Sequence, residues 1–152
     1  GEADHTKAMM RQLGDVVFWR VAMRPGRPMA VGRINGCPVF GLPGNPVAVM
    51  VTFLAFVRPA LQTLMGSAVT SLPTAQVRSA TAIRKRAGRT EYQRGVCSVG
   101  ADGQQTVEIL PNQGSGVLSG MVRANCLVVL GHEQASVQAG DWVNVWWLDR
   151  FI

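Results

Sequence analysis

The chain has 152 residues, of which 47% are hydrophobic and 16% are charged, so it has the material for a packed core and is not a disordered tail. Its net charge is +6 at pH 7. Residues 1–68 carry seven basic and three acidic residues, whereas residues 69–152 carry eight and six, so the first half is the better candidate for binding anions.

Hydrophobic patterning in the first half predicts an α/β arrangement. The predicted elements are a helix from Asp4 or Thr6 to Leu13, strands Val16–Met23, Met29–Ile34 and Cys37–Leu42, and a helix Pro46–Leu64. Asn35-Gly36 is a two-residue hairpin signal between the second and third strands. The long helix is apolar on most sides, which predicts that it is buried, and Gly66 marks its end.

The second half has a different pattern, with short strands and no long helix. Residues 67–74 are small and rich in structure breakers, which predicts a linker between an α/β region over residues 1–66 and a β region over residues 75–152. The predicted strands are Gln76–Ile83, Glu91–Val99, Thr106–Leu110, Cys126–Leu130 and Trp142–Leu148. Short strands at this spacing are typical of a small all-β barrel or sandwich.

The loop Leu42-Pro43-Gly44-Asn45-Pro46 connects a predicted buried strand to the long helix. Asn45 is a preferred N-cap residue, and Pro46 takes the first helical position, where its missing N–H is harmless. Gly44 lets a ligand approach the backbone closely. Such a loop directs free N–H groups and the positive end of the helix dipole at one point, which suits an anion. An ordinary capped helix explains the same residues.

Four arginines precede this loop: Arg20, Arg24, Arg27 and Arg33. The turn Arg24-Pro25-Gly26-Arg27-Pro28 presents two guanidinium groups on a rigid backbone. Because guanidinium binds phosphate or carboxylate through a bidentate fork, the cluster predicts a small polyanionic ligand. A solvated basic face is the alternative, since the chain uses 13 Arg and only 2 Lys throughout.

Cysteine and histidine usage indicates neither a disulfide framework nor a metal centre. Cys37, Cys97 and Cys126 are widely spaced, with no C-x-x-C pair, and there are only two histidines. All three cysteines lie in apolar runs, which predicts buried, reduced thiols and a cytoplasmic protein. The longest apolar run, Val47–Val57, has 11 residues, fewer than the roughly 20 that cross a bilayer, so no membrane partner is expected.

Several motifs in order along the chain resemble those of the molybdopterin molybdotransferases, a family that includes the E domain of gephyrin. They are Gly1-Glu2-Ala3-Asp4-His5-Thr6-Lys7, Arg24-Pro25-Gly26-Arg27-Pro28, Leu42-Pro43-Gly44-Asn45-Pro46-Val47, Gly88-Arg89-Thr90-Glu91-Tyr92-Gln93-Arg94-Gly95, Gln113-Gly114-Ser115-Gly116 and Ala124-Asn125-Cys126. The resemblance implies the C-terminal part of a three-layer, molybdopterin-binding-like α/β domain followed by a small β-barrel. Members of the family are longer and dimeric, so we expect this chain to be a fragment that is inactive alone.

The resemblance also implies an activity and a site. The family inserts molybdate into adenylylated molybdopterin and releases AMP. Asp4 matches the active-site aspartate that lies near Mg²⁺ and molybdate, and carboxylate oxygens suit that metal. Arg20 and Arg24 stand where the family usually has lysines. The expected substrate-binding residues are Arg20, Arg24, Pro25, Gly26, Arg27, Pro43, Gly44, Asn45, Pro46 and Ser115.

The basic composition leaves a second interpretation open, a non-catalytic binding or scaffolding module for nucleic acid or a protein. The run Arg84-Lys85-Arg86, followed by Arg89 and Arg94, is the segment that could contact nucleic acid. A solvated loop is the more usual explanation of such a run. We therefore expect small anionic substrates rather than nucleic acid as partners.

Overall fold

The structure is a computed structural model that describes residues 2–68, 71–114, 116 and 118–148, with side chains from Ala8 onward. The first half contains helix α1 (Glu2–Leu13) and strands β1 (Gly14–Arg20), β2 (Met23–Arg24), β3 (Pro28–Ile34) and β4 (Cys37–Gly41). Strands β1, β3 and β4 form an antiparallel sheet in the order β1-β3-β4. The predicted hairpin is confirmed, with Asn35 and Gly36 both at positive φ (50° and 78°), as a type I′ turn requires.

The first predicted strand, Val16–Met23, is wrong at its C-terminal end. The chain leaves the sheet after Arg20, where the Val21 N–H donates to the Arg27 carbonyl at 2.8 Å and closes a loop. Strand β4 was predicted to be buried, but none of its residues is, because it is an edge strand of the described sheet. For the same reason Cys37 is exposed, which corrects the prediction of a buried thiol.

The long helix consists of α2 (Pro46–Thr52), a π-helical turn (Phe53–Val57) and α3 (Arg58–Leu64). Gly66 follows it at φ 74°, as expected for a helix stop. The buried residues lie in α2 and, at Val57, at the end of the π-helical turn, whereas α3 has none, so the prediction of a well-buried helix is wrong for α3. By length and composition alone the 19 residues could cross a membrane. A single helix of this kind is weak evidence, since core helices of soluble proteins meet the same criteria.

The second half forms a closed five-stranded barrel, as the all-β pattern predicts. Its strands are β5 (Thr74–Ser79), β6 (Thr90–Val99), β7 (Gln105–Ile109), β8 (Cys126–Leu130) and β9 (Trp142–Trp147). They run in the order β6-β7-β5-β9-β8, and β8 pairs again with β6 to close the barrel. Valines from four of the strands fill the interior, with Val77, Val107, Val128 and Val145 at most 1% exposed. One short helix, α4 (Ser119–Arg123), precedes β8.

Two connections join the first half to the barrel and position the site. Strand β2 pairs in parallel with the start of β6, with Met23 opposite Thr90 and Arg24 opposite Glu91. A second core cluster packs Val47 and Val51 of α2 against barrel residues that include Leu127. The turn after β2 and the N-terminus of α2 are therefore both attached to the same side of the barrel.

Candidate anion-binding site

A cavity of about 330 Å³ lies between the Arg24–Pro28 turn and the start of α2. Its lining residues are Arg24, Pro25, Gly26, Pro28, Pro43, Gly44, Asn45, Ala48 and Gln113. Six of these, Arg24, Pro25, Gly26, Pro43, Gly44 and Asn45, belong to the predicted substrate-binding set. The structure thus brings two separate sequence motifs together around one space.

Gly26 explains how the turn fits against the helix. Its φ is 97°, a conformation that side chains rarely adopt, and a Cβ there would run into the side chain of Thr52 on α2. Both residues are buried, and the Thr52 hydroxyl has no hydrogen-bond partner among the described residues. The turn is therefore packed onto the helix at this glycine, which holds the backbone of the turn beside the cavity that Arg24 lines.

Asn45 precedes α2 but does not cap it with its side chain. The backbone has the extended conformation of an N-cap (φ −84°, ψ 126°), and its carbonyl accepts the Val49 N–H at 2.8 Å. The predicted side-chain capping bond is absent, and the buried Oδ1 has no partner in the described part of the chain. Its Nδ2 faces the barrel loop, 3.9 Å from where a Cβ on Gly116 would stand. The first-turn N–H groups are therefore left to a ligand.

A second cavity of about 500 Å³ adjoins the first on the barrel side and shares Arg24, Pro25 and Gln113 with it. The other lining residues are Arg84, Lys85, Arg86, Arg89, Glu91, Tyr92, Gln93 and Ser136. Five basic side chains and one acidic side chain thus surround a single space. The positive charge comes from both halves of the chain, because Arg24 belongs to the first half and the others to the barrel.

Lys85 contributes to structure more than to an open basic surface. It is 6% exposed, and its Nζ donates to the carbonyl oxygens of Gln134 (2.6 Å), Arg86 (3.2 Å) and His132 (3.5 Å). The expectation of a solvated loop is therefore wrong for Lys85, because the three carbonyls converge on its ammonium group. It is correct for Arg84 and Arg86, which are exposed at the rim.

Glu91 orients Arg89 from inside the cavity wall. Its Oε1 accepts the Arg89 Nε–H at 2.8 Å, and its Oε2 accepts an N–H of the Gln93 amide at 3.0 Å. Burial alone would raise the pKa of Glu91, but these hydrogen bonds and the charges of Arg89 and Arg24 outweigh it and lower the pKa below its ordinary value. The carboxylate is thus ionised and engaged, and Arg89 keeps its terminal guanidinium fork for another partner.

The remaining predicted residues lie elsewhere or outside the described part of the chain. Arg20 ends β1 and Arg27 lies within the Arg24–Pro28 turn; both are exposed, and neither is among the lining residues of the two cavities. Pro46 is the exposed first residue of α2. Asp4 belongs to α1, but its side chain lies outside the described residues, and so does Ser115. The predicted roles of these residues stay predictions.

On the barrel side of the site, the sequence predicted only Ser115. Gln113 lines both cavities, and Arg84, Arg86 and Arg89 line the larger one. The signal was present in part, since the charge run and the Gly88–Gly95 motif were both noted. What the pattern lacked was any indication that these residues face Arg24.

The described side chains include no cluster of potential magnesium ligands. They include no group of three or more His, Cys, Asp or Glu residues that could hold a metal ion. The buried carboxylate nearest the basic side chains, Glu91, is already engaged by Arg89 and Gln93. The described side chains around the cavities therefore offer arginines for an anion, and they include no cluster of three or more potential metal ligands.

Two family profiles match the chain on either side of this site. Residues 1–63 match the probable molybdopterin binding domain, and residues 76–148 match the MoeA C-terminal region, domain IV. The chain belongs to the molybdopterin molybdotransferase family. The profiles meet at the larger cavity, since Arg24 lies in the first matched segment and Arg89 in the second.

Relatives of this chain include proteins named molybdopterin molybdenumtransferase and gephyrin. It is 39% identical to the molybdopterin molybdenumtransferase of Haemophilus influenzae over 146 residues, which are 95% of this chain and 36% of that protein. It is 31% identical to gephyrin of Dictyostelium discoideum over 169 residues, which cover 95% of this chain and 23% of that protein. The chain therefore spans about a third, or less, of the length of these relatives.

Solved structures show the same fold. The molybdopterin biosynthesis MoeA protein from Pyrococcus horikoshii superposes with a TM-score of 0.76 at 26% identity, over 95% of this chain and 35% of that one. A molybdenum cofactor biosynthesis protein from Pyrococcus furiosus gives 0.73 at 27% identity, over 89% of this chain and 46% of that one. The expected combination of a mixed α/β region and a small barrel is confirmed.

Proposed function

We propose that this chain is part of an enzyme of molybdenum cofactor biosynthesis that inserts molybdate into adenylylated molybdopterin and releases AMP. The observation that carries the proposal is the meeting of two cavities at Arg24, with basic side chains from both halves of the chain around the larger one. The names of the relatives support the same conclusion, because they are molybdopterin molybdenumtransferases.

The chemistry of the two substrates fits this arrangement. Adenylylated molybdopterin carries a phosphoanhydride, and molybdate is a tetrahedral dianion, so two anionic groups have to approach each other. Arg24 faces both cavities and offsets charge at the point where the anions would meet. Bringing both substrates together in a fixed orientation lowers the entropic part of the barrier.

The side chains divide into binding and orienting roles. Arg24 and Arg89 bind oxyanions, Glu91 orients Arg89, and the loop at Gly44 and Asn45 presents backbone N–H groups. None of the residues described as lining the two cavities is a histidine or a cysteine. The described part of the chain therefore contributes substrate positioning and charge stabilisation rather than a nucleophile.

Three further properties belong to the proposal. Asp4 would be the magnesium ligand of the complete protein and Ser115 a substrate contact, as the resemblance implies, and no step above depends on either residue. The complete protein would be a cytoplasmic homodimer with no membrane partner.

Complementation tests the proposal. The complete reading frame that contains this chain is expressed in a bacterial strain lacking its own molybdotransferase, and nitrate reductase activity is measured. We expect rescue by the unaltered frame and loss of rescue with Asp4→Ala or Arg24→Ala, whereas Arg78→Ala, an exposed arginine on β5, serves as the control. A well-expressed unaltered frame that does not rescue the strain would contradict the proposal.

A further inference from the structure

The structure contains one buried arginine that lines neither cavity. Arg94 on β6 is 1% exposed and is the largest fully buried side chain among the described residues. Its Nη2 donates to the carbonyl oxygens of Asn112 (2.8 Å) and Gly114 (3.0 Å), which belong to the loop after β7. Burying a guanidinium costs free energy unless the group is hydrogen-bonded. Here both of these hydrogen bonds are donated to the backbone of one loop.

Gln113, between those two loop residues, makes the reverse contacts with Arg94. Its Oε1 accepts the backbone N–H of Arg94 at 2.9 Å, and its Nε2 donates to the Arg94 carbonyl at 2.8 Å. The same Nε2 also donates to the Leu110 carbonyl at 2.8 Å. Each side chain therefore binds the backbone on the other side, so strand and loop are held by reciprocal hydrogen bonds. We call this pair, Arg94 with Gln113, the loop clamp.

The guanidinium also sets the packing of the segment that follows. A Cβ on Gly120, in α4, would stand only 3.1 Å from Arg94 Nη1 and 3.2 Å from its Cζ. The helix after the loop thus rests directly on the guanidinium, and a Cβ at position 120 would require the guanidinium to move by a few tenths of an ångström. Arg94 therefore supports the loop from within and helix α4 at its far end.

The loop held in this way reaches both cavities. Gln113 is one of the three residues that line both of them, and Gly116 faces the Asn45 amide at the N-terminus of α2. A shift of the loop would move Gln113 and change both cavities together. An apolar side chain at position 94 would fill space but leave the carbonyls of Asn112 and Gly114 without their donor.

We infer that Arg94 is a positioning residue, which acts through the loop clamp to set the shape of the two anion-binding cavities. This inference rests on the proposed function, because it assumes that the cavities bind phosphate-type anions. It assigns Arg94 no contact with substrate. The alternative is that Arg94 supports only the stability of the barrel.

The test compares binding with stability in the full chain. Isothermal titration calorimetry with inorganic pyrophosphate, at fixed ionic strength, is applied to the unaltered chain and to Arg94→Met, Arg94→Lys and Val77→Ala. Val77 is a fully buried core residue on β5 that lines neither cavity, so Val77→Ala reports what loss of stability alone does to binding. The thermal unfolding of each variant is also measured, so that affinities are compared between variants of similar stability.

We expect Arg94→Met to weaken pyrophosphate binding about tenfold, because a displaced loop would lose ligand contacts equivalent to about one hydrogen bond. Val77→Ala should bind pyrophosphate normally. Arg94→Lys, which keeps the charge and one donor, restores part of the affinity. Gln113→Ala weakens binding similarly and serves as the deciding variant if Arg94→Met does not fold. Exchange of the backbone amides of residues 110 and 112–114 is faster in both variants than in Val77→Ala.

The outcomes separate the two claims. If the unaltered chain does not bind pyrophosphate, the proposed function fails and the inference fails with it. If the unaltered chain binds and Arg94→Met matches Val77→Ala in affinity, only the inference is overturned. Normal affinity in Gln113→Ala overturns it in the same way.

Discussion

Arg24 and Glu91 stand opposite each other in the parallel pairing of β2 with β6. This two-residue strand connects segments that are more than sixty positions apart in sequence, and the Thr90 N–H donates to the Ala22 carbonyl at 2.9 Å beside it. The pairing sets a guanidinium near an ionised, buried carboxylate whose own partner is Arg89. One short strand contact thus assembles charged residues from both halves of the chain.

Replacing Arg24 should weaken anion binding more than it affects stability. We expect Arg24→Ala to lower pyrophosphate affinity at least tenfold, or about 1.4 kcal/mol, because a charge-assisted contact is lost at both cavities. The pyrophosphate affinity of Arg24→Lys should lie between those of the unaltered chain and Arg24→Ala, since lysine keeps the charge but not the bidentate guanidinium fork. Calorimetric titration measures both, with Arg33→Ala as the control, because Arg33 is an exposed arginine on β3 that lines neither cavity. Equal losses in Arg24→Ala and Arg33→Ala would mean that general charge, not this site, attracts the anion.

The lowered pKa of Glu91 predicts a specific pH dependence of stability. Because its pKa in the folded chain lies below the ordinary value of 4.5, ionised Glu91 stabilises the fold at pH values above 4.5. That contribution is lost as the pH falls through the lowered pKa. We expect Glu91→Gln to be less stable near neutral pH by about 1–3 kcal/mol, the range for a buried charged hydrogen bond. The difference should shrink in acid. Urea unfolding between neutral pH and about pH 3 measures it, and a constant difference would contradict the assignment.

Gly26 should tolerate no side chain, because it combines a positive φ with contact against Thr52. We expect Gly26→Ala to destabilise the chain by more than about 1 kcal/mol, since strain at φ 97° adds to the clash. Gly131→Ala is the matched control, because the space around a Cβ there is open and its φ is not positive. Thermal unfolding compares the two. Equal melting temperatures would show that the turn can move away from α2 without cost.

Local sequence patterns predicted the first half of the site well. The motifs at Pro25-Gly26 and Pro43-Gly44 each carry a backbone signature, and both line the smaller cavity. The turn chemistry of Asn35-Gly36 and the helix stop at Gly66 were predicted for the same reason. In each case a proline or glycine restricts the backbone locally, so the neighbouring residues are enough to indicate the structure.

The barrel side could not be predicted in the same way. A two-residue strand such as β2 has no periodicity, and its partner in β6 is set by tertiary packing rather than by neighbouring residues. The buried positions of Lys85 and Arg94 were hidden for a related reason. A basic residue in a sequence usually indicates a solvent-exposed position. Lys85 and Arg94 can be buried because carbonyl oxygens from distant loops converge on them, and the sequence pattern does not show this.

The same burial predicts weak binding to nucleic acid, the main alternative for a chain this basic. Lys85 is bound to three carbonyls, Arg94 is buried and Arg89 lies half-exposed on the cavity wall, which leaves Arg84 and Arg86 as the exposed charges of that segment. With about two phosphate contacts, affinity for duplex DNA should fall only about tenfold between roughly 50 mM and 200 mM salt.

Fluorescence anisotropy with a labelled duplex measures this salt dependence, and Arg84→Ala with Arg86→Ala should abolish what binding there is. A scaffold that binds nucleic acid would make six or more phosphate contacts and lose about a thousandfold or more over the same range. A loss that steep would favour the scaffold over the anion site. A shallow salt dependence, together with pyrophosphate binding that Arg24→Ala weakens, would favour a small anionic substrate, since Arg24, Arg84, Arg86 and Arg89 line one cavity.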